Sequence, residues 1–334
     1  MSGVLVTGAT TPIGHALMRA LLDDPDCERV LAVGAEAEPA TLPGYGSGRV
    51  VYERADLTRP REVRRLLFGP ARALGIESVL HTALHRSAID EGGRVRALNV
   101  ESTRELLHLA ERHPTLRRFV LRSYGDVYQI DPGRPVLISE EHPLDFSSGA
   151  PQFVRDRREA DITVCTRMGL SPMRIIVLRC AEILAPASGS QLYDYLSAPV
   201  CFRPLGFNPM LDLMTIEDAV DAMRLALGSD ANGVFNVPGA DTLPLSEVVR
   251  EWGRRGLAVP GPLLAPLYRF RTSTLGMEFR YDLNHRRFHF SAVLDGTRAR
   301  EVLGYVPSHP IAWPSGGAAV LERAEPRSKA EATK

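Results

Sequence analysis

Short apolar runs alternate with longer amphipathic stretches through the first half of the chain. The first run, Val4 to Thr7, stops at Gly8, and from Pro12 the apolar positions recur at helical spacing. "RVLAVGA", "RVVYERADLT", "SVLHTAL", "LRRFVLRS" and "MRIIVLRC" repeat the first pattern. "PREVRRLLFGPARAL", "RVRALNVESTRELLHLAERHP" and a segment from about Pro151 repeat the second. Short apolar strands separated by helices predict an α/β protein with a parallel, doubly wound sheet and right-handed crossovers.

Past residue 185 the alternation loosens and prolines and glycines accumulate. Helices in "TIEDAVDAMRLAL" and "DGTRAREVLGYVP" predict a smaller lobe there. The expected division is a Rossmann-type dinucleotide-binding domain over 1–185, including a helix over 151–169. A substrate lobe over 186–322 is interleaved with it, and the polar stretch 323–334 is expected to be a disordered tail.

Charge narrows the function classes. The 40 basic and 40 acidic residues cancel, which gives no electrostatic case for nucleic acid or an anionic membrane surface. No apolar run approaches the roughly 18 residues a membrane span needs, and the first strand begins within a few residues of Met1, so the expected compartment is the cytoplasm. The four cysteines, Cys27, Cys165, Cys180 and Cys201, lack CxxC spacing and read as reduced thiols, with no metal site. The only lysines are Lys329 and Lys334, both in the tail, so the folded part has none for Schiff-base or lysine-assisted chemistry.

The turn after the first strand reads Gly8-Ala-Thr-Thr-Pro-Ile-Gly14. A strand, a glycine turn and a helix put N–H groups and the positive end of the helix dipole where a pyrophosphate can bind. Gly8 permits the tight turn and Gly14 lets the helix approach the sheet, while Thr11 stands where a middle glycine would let backbone approach phosphate. Asp56 and Leu57 close the third strand, Thr82 and Ala83 end the fourth, and Asn99 lies in the following helix.

In order along the chain, "VTGATTPIG", "ADLT", "VLHTA", "NVESTRELL", "RFVLRSYGDVY", "VLRCAEILAP", "TIEDAVDA", "GVFNVPG" and "LGYVP" resemble the extended short-chain dehydrogenase/reductase superfamily, in its NAD-dependent epimerase/dehydratase branch. The resemblance covers nearly the whole chain. It implies bound NAD or NADP, with Gly8, Thr10, Thr11, Pro12, Ile13 and Gly14 around the pyrophosphate. It also implies Asp56 and Leu57 at the adenine and Ala83 near the ribose, with Thr82, Asn99 and Arg157 as further cofactor-binding residues. The second strand ends in "VGAEAEP", where Glu36 or Glu38 can accept from a ribose 2′-hydroxyl and no arginine offers itself to a 2′-phosphate, which favours NAD over NADP. A homodimer through the helices holding residues 100–109 and 153–168 is implied as well.

The family's proton chemistry rests on a tyrosine and a lysine one helical turn apart, with a Ser or Thr nearby. Here those two positions hold Phe153 and Arg157, with Asp161 one turn further on. The Ser/Thr position falls on Tyr124, with Ser123 before it, and the usual substrate asparagine is Glu182. Phe153 has no titratable group, and an arginine does not cycle protons. Four readings follow. The dyad is dead and the protein is a cofactor-binding sensor or an inactive partner. Alternatively Tyr124 takes over, with Arg157 as fixed charge and Glu182 as second proton carrier. A redox enzyme on a small carbonyl or alcohol needs no such pair, and a protein-interaction scaffold needs no cofactor.

Other segments read more plainly. His81 is expected in the core, and His85 and Arg86 in a loop at the carboxyl end of the sheet. Glu217 and Asp218 sit at a helix N-terminus, and "NHRRFHF", from Asn284 to Phe290, reads as an edge strand with a solvated basic face or, alternatively, as aromatics and arginines that stack on a nucleobase or contact phosphate in the substrate cleft.

Overall fold

A computed structural model describes residues 3–37, 39 and 41–314; Glu38 and the tail with both lysines lie outside the described residues. The first half alternates as the pattern requires: β1 (Gly3–Thr7), α1 (Pro12–Asp23), β2 (Arg29–Gly34), β3 (Val50–Arg54), α2 (Pro60–Leu66) and β4 (Ser78–His81). The long helix expected next is interrupted: α3 (Gly93–Arg96) runs through a π-helical turn, Ala97–Glu101, into α4 (Ser102–Ala110). β5 (Arg118–Tyr124), β6 (Leu137–Ile138), α5 (Gln152–Cys165), β7 (Arg174–Cys180) and β8 (Glu182–Ile183) follow.

The second half holds α6 (Gln191–Leu196), β9 (Val200–Pro204), β10 (Met210–Met214), α7 (Ile216–Gly228) and β11 (Gly233–Val237). It continues with β12 (Asp241–Pro244), α8 (Leu245–Glu251), β13 (Arg255–Val259), α9 (Gly261–Leu275), α10 (Tyr281–His289) and β14 (Val293–Leu294). The helix expected in "DGTRAREVLGYVP" is one π-helical turn, Ala299–Leu303, closed by Gly304 in the left-handed region.

Seven parallel strands form the main sheet in the order β3-β2-β1-β4-β5-β7-β11. β1 to β5 and β7 are apolar along most of their length because helices cover both faces. α1 and α7 seal one face through Leu17, Met18, Leu21, Ala219 and Met223, while α2, α4 and α5 seal the other through Val63, Leu66, Leu106 and Val164. Each such Leu, Met or Val side chain, fully buried, contributes about 1.5–3 kcal/mol. The chain leaves β1 for β2 on one side and later returns to β4 on the other, so a crevice opens where β1 and β4 end.

A third apolar cluster gathers Tyr195, Tyr268, Phe279 and Phe288 with Leu211, Leu245 and Leu264, beneath small sheets made by β8, β10 and β12 and by β9 with β13. β11 belongs to the main sheet although it lies late in the chain, so the two halves interleave.

The edge strand expected over 284–290 is corrected. Those residues fall mostly in α10, whose buried residues Tyr281, Asn284 and Phe288 follow helical spacing. The stretch itself alternates aromatic and basic residues over too few positions to reveal that period. Among the described residues no helix is long and apolar enough to cross a membrane, and no cluster of His, Cys, Asp or Glu is arranged to hold a metal. All four cysteines are free, and Cys27, Cys180 and Cys201 are buried.

Candidate functional site

The crevice at the ends of β1 and β4 is a cleft of about 2590 Å³. Gly8 has φ +70°, and a Cβ there would sit 3.0 Å from Thr82 Oγ1, so glycine is required by both backbone and space. At Gly14 a Cβ would fall 2.3 Å from the Gly8 carbonyl oxygen, so α1 can approach the turn only without a side chain at that position. Thr11 takes over where a glycine was expected, without strain, at φ −83° and ψ 162°. It is the N-cap of α1: its hydroxyl donates to the Gly8 carbonyl at 2.9 Å and accepts from the Gly14 N–H at 3.0 Å. Pro12 has no N–H to offer, and the Ile13 N–H has no protein partner among the described residues.

Behind the turn lies a buried relay. The Thr7 hydroxyl accepts from the Thr82 and Ala83 N–H groups and lies 2.8 Å from His81 Nδ1. Thr103 donates to the Asn99 carbonyl, so it accepts from His81 Nε2 at 3.0 Å, and Thr7 donates to Nδ1. Burial pushes His81 down to about 4, so the ring is neutral and structural, as expected. The Asn99 side-chain oxygen accepts from the His85 N–H at 2.7 Å and shapes the loop in which His85 and Arg86 line the cleft.

Gly8, Thr10, Thr11, Glu36, Asp56, Leu57 and Ala83 all line the cleft. Gly14, Pro12, Ile13, Thr82 and Asn99 stand behind this wall rather than in it. Thr10 donates to Glu36 at 2.7 Å across the mouth. The Asp56 carboxylate accepts from the Thr58 hydroxyl and N–H, which hold it below the ordinary carboxylate range. Arg54, on the neighbouring strand β3, also lines the cleft, and no pattern in the chain singled it out.

The positions of the expected dyad lie elsewhere. Phe153 and Arg157 share one face of α5, but Phe153 lines neither cavity and packs with Ala88, Val154 and Leu283. The Arg157 guanidinium lies 3.7 Å from the Phe153 ring centroid and 3.6 Å from that of Tyr124. It pairs with Asp126 and donates to the Gly189 carbonyl at 3.1 Å. Arg157 is absent from the wall of the large cleft and faces a second, small pocket of about 40 Å³. Ser188, Gly189 and Ser190 line both spaces and separate them.

Tyr124 and Glu182 line that small pocket too. The Tyr124 hydroxyl accepts from Arg122 at 2.9 Å. Ser123 turns inward and donates to Asp161 at 2.6 Å, and Asp161 also accepts two bonds from Arg179. Glu182 accepts from Ser190, the Leu192 N–H and Arg287. Burial pushes its carboxyl up, but Arg287 and these bonds bring it below the ordinary value, so it is a fixed charge and a poor proton carrier. Arg122 and Asp126 were missed by the sequence reading, while Arg287 belongs to the 284–290 stretch considered there for the substrate cleft and lines this pocket. The signal for Arg122 was present, an arginine inside the apolar run of β5.

Comparisons with known proteins fit this arrangement. The NAD dependent epimerase/dehydratase family pattern matches residues 4–237. An uncharacterized protein of Mycobacterium tuberculosis is 31% identical over 320 residues, covering 91% of this chain and 80% of that protein. A 3-diazoavenalumate denitrifying reductase of a Streptomyces species is 27% identical over 325 residues, 94% of this chain and 98% of the relative. Among solved structures, UDP-glucuronic acid 4-epimerase of Bacillus cereus in complex with NAD superposes with a TM-score of 0.65 at 18% identity, over 92% of this chain and 94% of that one.

Proposed function

The chain belongs to the NAD-dependent epimerase/dehydratase family, and we propose that it binds NAD without the family's tyrosine–lysine proton relay, as a cofactor sensor or an inactive partner. The cleft fits a dinucleotide on its own geometry. Gly8 takes the left-handed turn, Gly14 lets α1 approach it, and Thr10 and Thr11 line the cleft at the N-terminus of α1. Glu36 supports NAD by offering an acceptor for a ribose hydroxyl. The similar Bacillus cereus epimerase, solved with NAD, supports the same cofactor. When bound, NAD supplies a hydride acceptor. The residues of this chain would bind and orient it: the Gly8 turn at the pyrophosphate, Asp56 and Leu57 at the adenine and Ala83 at the adjoining ribose.

One observation carries the absence of the relay. Arg157 is engaged by Asp126, the Gly189 carbonyl and two aromatic rings, and it does not line the dinucleotide cleft. A guanidinium so held clamps the 188–190 segment to α5.

A second reading is a reductase whose acceptor needs no acid from the chain, favoured by the full-length similarity to the denitrifying reductase. Thermal melts with NAD⁺, NADH, NADP⁺ and NADPH test the cofactor; at about 100 times the Kd a ligand adds roughly 2.7 kcal/mol, or several degrees. Flat traces with all four at millimolar ligand sink both readings. A shift with NADH, followed by its oxidation in the presence of any acceptor, selects the second. The expected homodimer through α4 and α5 would join faces that both carry the exposed basic residues Arg104, His108 and Arg155, so salt should screen their repulsion and the solution mass should rise as it is added.

A further inference from the structure

We propose that the small pocket between β5, β8 and α10 binds the carboxylate of a small organic acid, with Arg122 as its anchor. This goes beyond the dinucleotide reading and does not depend on it. Three arginines are at least nine-tenths buried: Arg122 at 4%, Arg157 at 6% and Arg179 at 4% exposed. Arg157 is paired with Asp126 and Arg179 with Asp161. Arg122 has no carboxylate within ion-pair reach among the described residues, and its one hydrogen bond goes to the hydroxyl of Tyr124, over whose ring its guanidinium lies at 4.5 Å. Its Nε has no hydrogen-bond partner among the described residues. A buried charge without a counter-ion is costly, so it persists where something outside the chain compensates it.

The rest of the wall fits the same guest. Arg287 pairs with Glu182 and Arg157 with Asp126, so Arg122 is the one arginine of this wall without an ion pair among the described residues. Asp212 also lines the pocket, accepting from the Gly239 and Leu294 N–H groups. Asp126 Oδ1 is buried and without a partner, so it asks for a donor. An acid with a hydroxyl or a bound water next to its carboxylate meets both demands: acceptor for Arg122, donor for Asp126.

Size limits the class. About 40 Å³ holds roughly three water-sized spheres, enough for the flat carboxylate group and too little for a phosphate ester. The remainder of the molecule would leave past Ser188–Ser190, which line both this pocket and the large cleft.

The test uses the full chain with no dinucleotide present, so its outcome is separate from that of the cofactor titration. Melting is followed with sodium acetate and sodium glycolate, against sodium chloride at equal ionic strength and against acetamide. Acetate and glycolate should raise the melting point by about 2–4 °C at roughly ten times their Kd, with glycolate effective at lower concentration. Chloride and acetamide should not. Arg122→Met should melt no lower than the unaltered protein in chloride, because it removes an unpaired buried charge, and it should lose the response. Arg122→Gln, which keeps a donor but no charge, should lose it as well and serves if the methionine variant folds poorly. An acetate response equalled by chloride or acetamide, no response at all, or a response intact in both variants overturns the assignment.

Discussion

Replacing Arg157 by lysine separates a structural clamp from a cofactor-holding cation. The planar guanidinium lies between the rings of Tyr124 and Phe153, at 3.6 and 3.7 Å, while its two nitrogens reach Asp126 and the Gly189 carbonyl. A lysine ammonium can keep the Asp126 pair, but it is a point charge that cannot stack on two rings or reach two acceptors on opposite sides. The lost bond to Gly189 is worth about 1.5–3 kcal/mol and each ring contact about 0.5–2. Part of this returns through relaxation, so Arg157→Lys should lower stability by about 2–4 kcal/mol and the melting point by roughly 5–10 °C. Arg157→Met strands the buried Asp126 carboxylate and should cost about 3–5 kcal/mol. Urea unfolding of the three proteins, each also titrated with NAD⁺ while folded, gives both numbers. Dinucleotide affinity should change less than about threefold, because Arg157 is absent from the cleft wall. If Arg157→Lys instead leaves stability within about 0.5 kcal/mol and Arg157→Met weakens NAD⁺ tenfold or more, the clamp argument is wrong.

Three other outcomes follow from the geometry. Gly14→Ala puts a Cβ 2.3 Å from the Gly8 carbonyl oxygen and should cost about 1–3 kcal/mol and the thermal response to NAD⁺, read in one melting series. Glu36→Ser removes an acceptor and a negative charge beside Arg54, so the ratio of NADP⁺ to NAD⁺ Kd values should fall by about tenfold or more in titrations of both. Burial raises Asp212 to about 7, above its unfolded value near 3.8, so the folded state binds this proton more tightly. Stability should therefore fall as pH rises from about 4.5 to 7, with a slope of up to about 1.4 kcal/mol per unit from this group, and level off above. Asp194, likewise raised to about 7 by burial, adds to the same slope, so Asp212→Asn should reduce it without abolishing it in urea unfolding across that range.

What could be read from the sequence depended on how far along the chain each cause lies. The Gly8 turn, α1 and the parallel strands are local patterns, with the glycine spacing and apolar periods all contained within some 25 residues. α10 was misread because its decisive spacing starts at Tyr281, outside the stretch that drew attention, and its partner is the aromatic cluster of Tyr195, Tyr268 and Phe279. The small pocket is the extreme case. Its wall takes Arg122 from β5, Glu182 from β8, Asp212 from β10 and Arg287 from α10, segments whose proximity no local pattern encodes. The dyad shows the same limit in reverse. Spacing put Phe153 and Arg157 on one helix face, yet Leu283 decides that Phe153 is walled in, and Asp126 with Gly189 decides where Arg157 points. Restoring a tyrosine at 153 alone therefore adds a hydroxyl to an apolar cluster with Ala88 and Leu283 and not to the cleft. The register of α5 and the surroundings of its side chains are set by different parts of the chain.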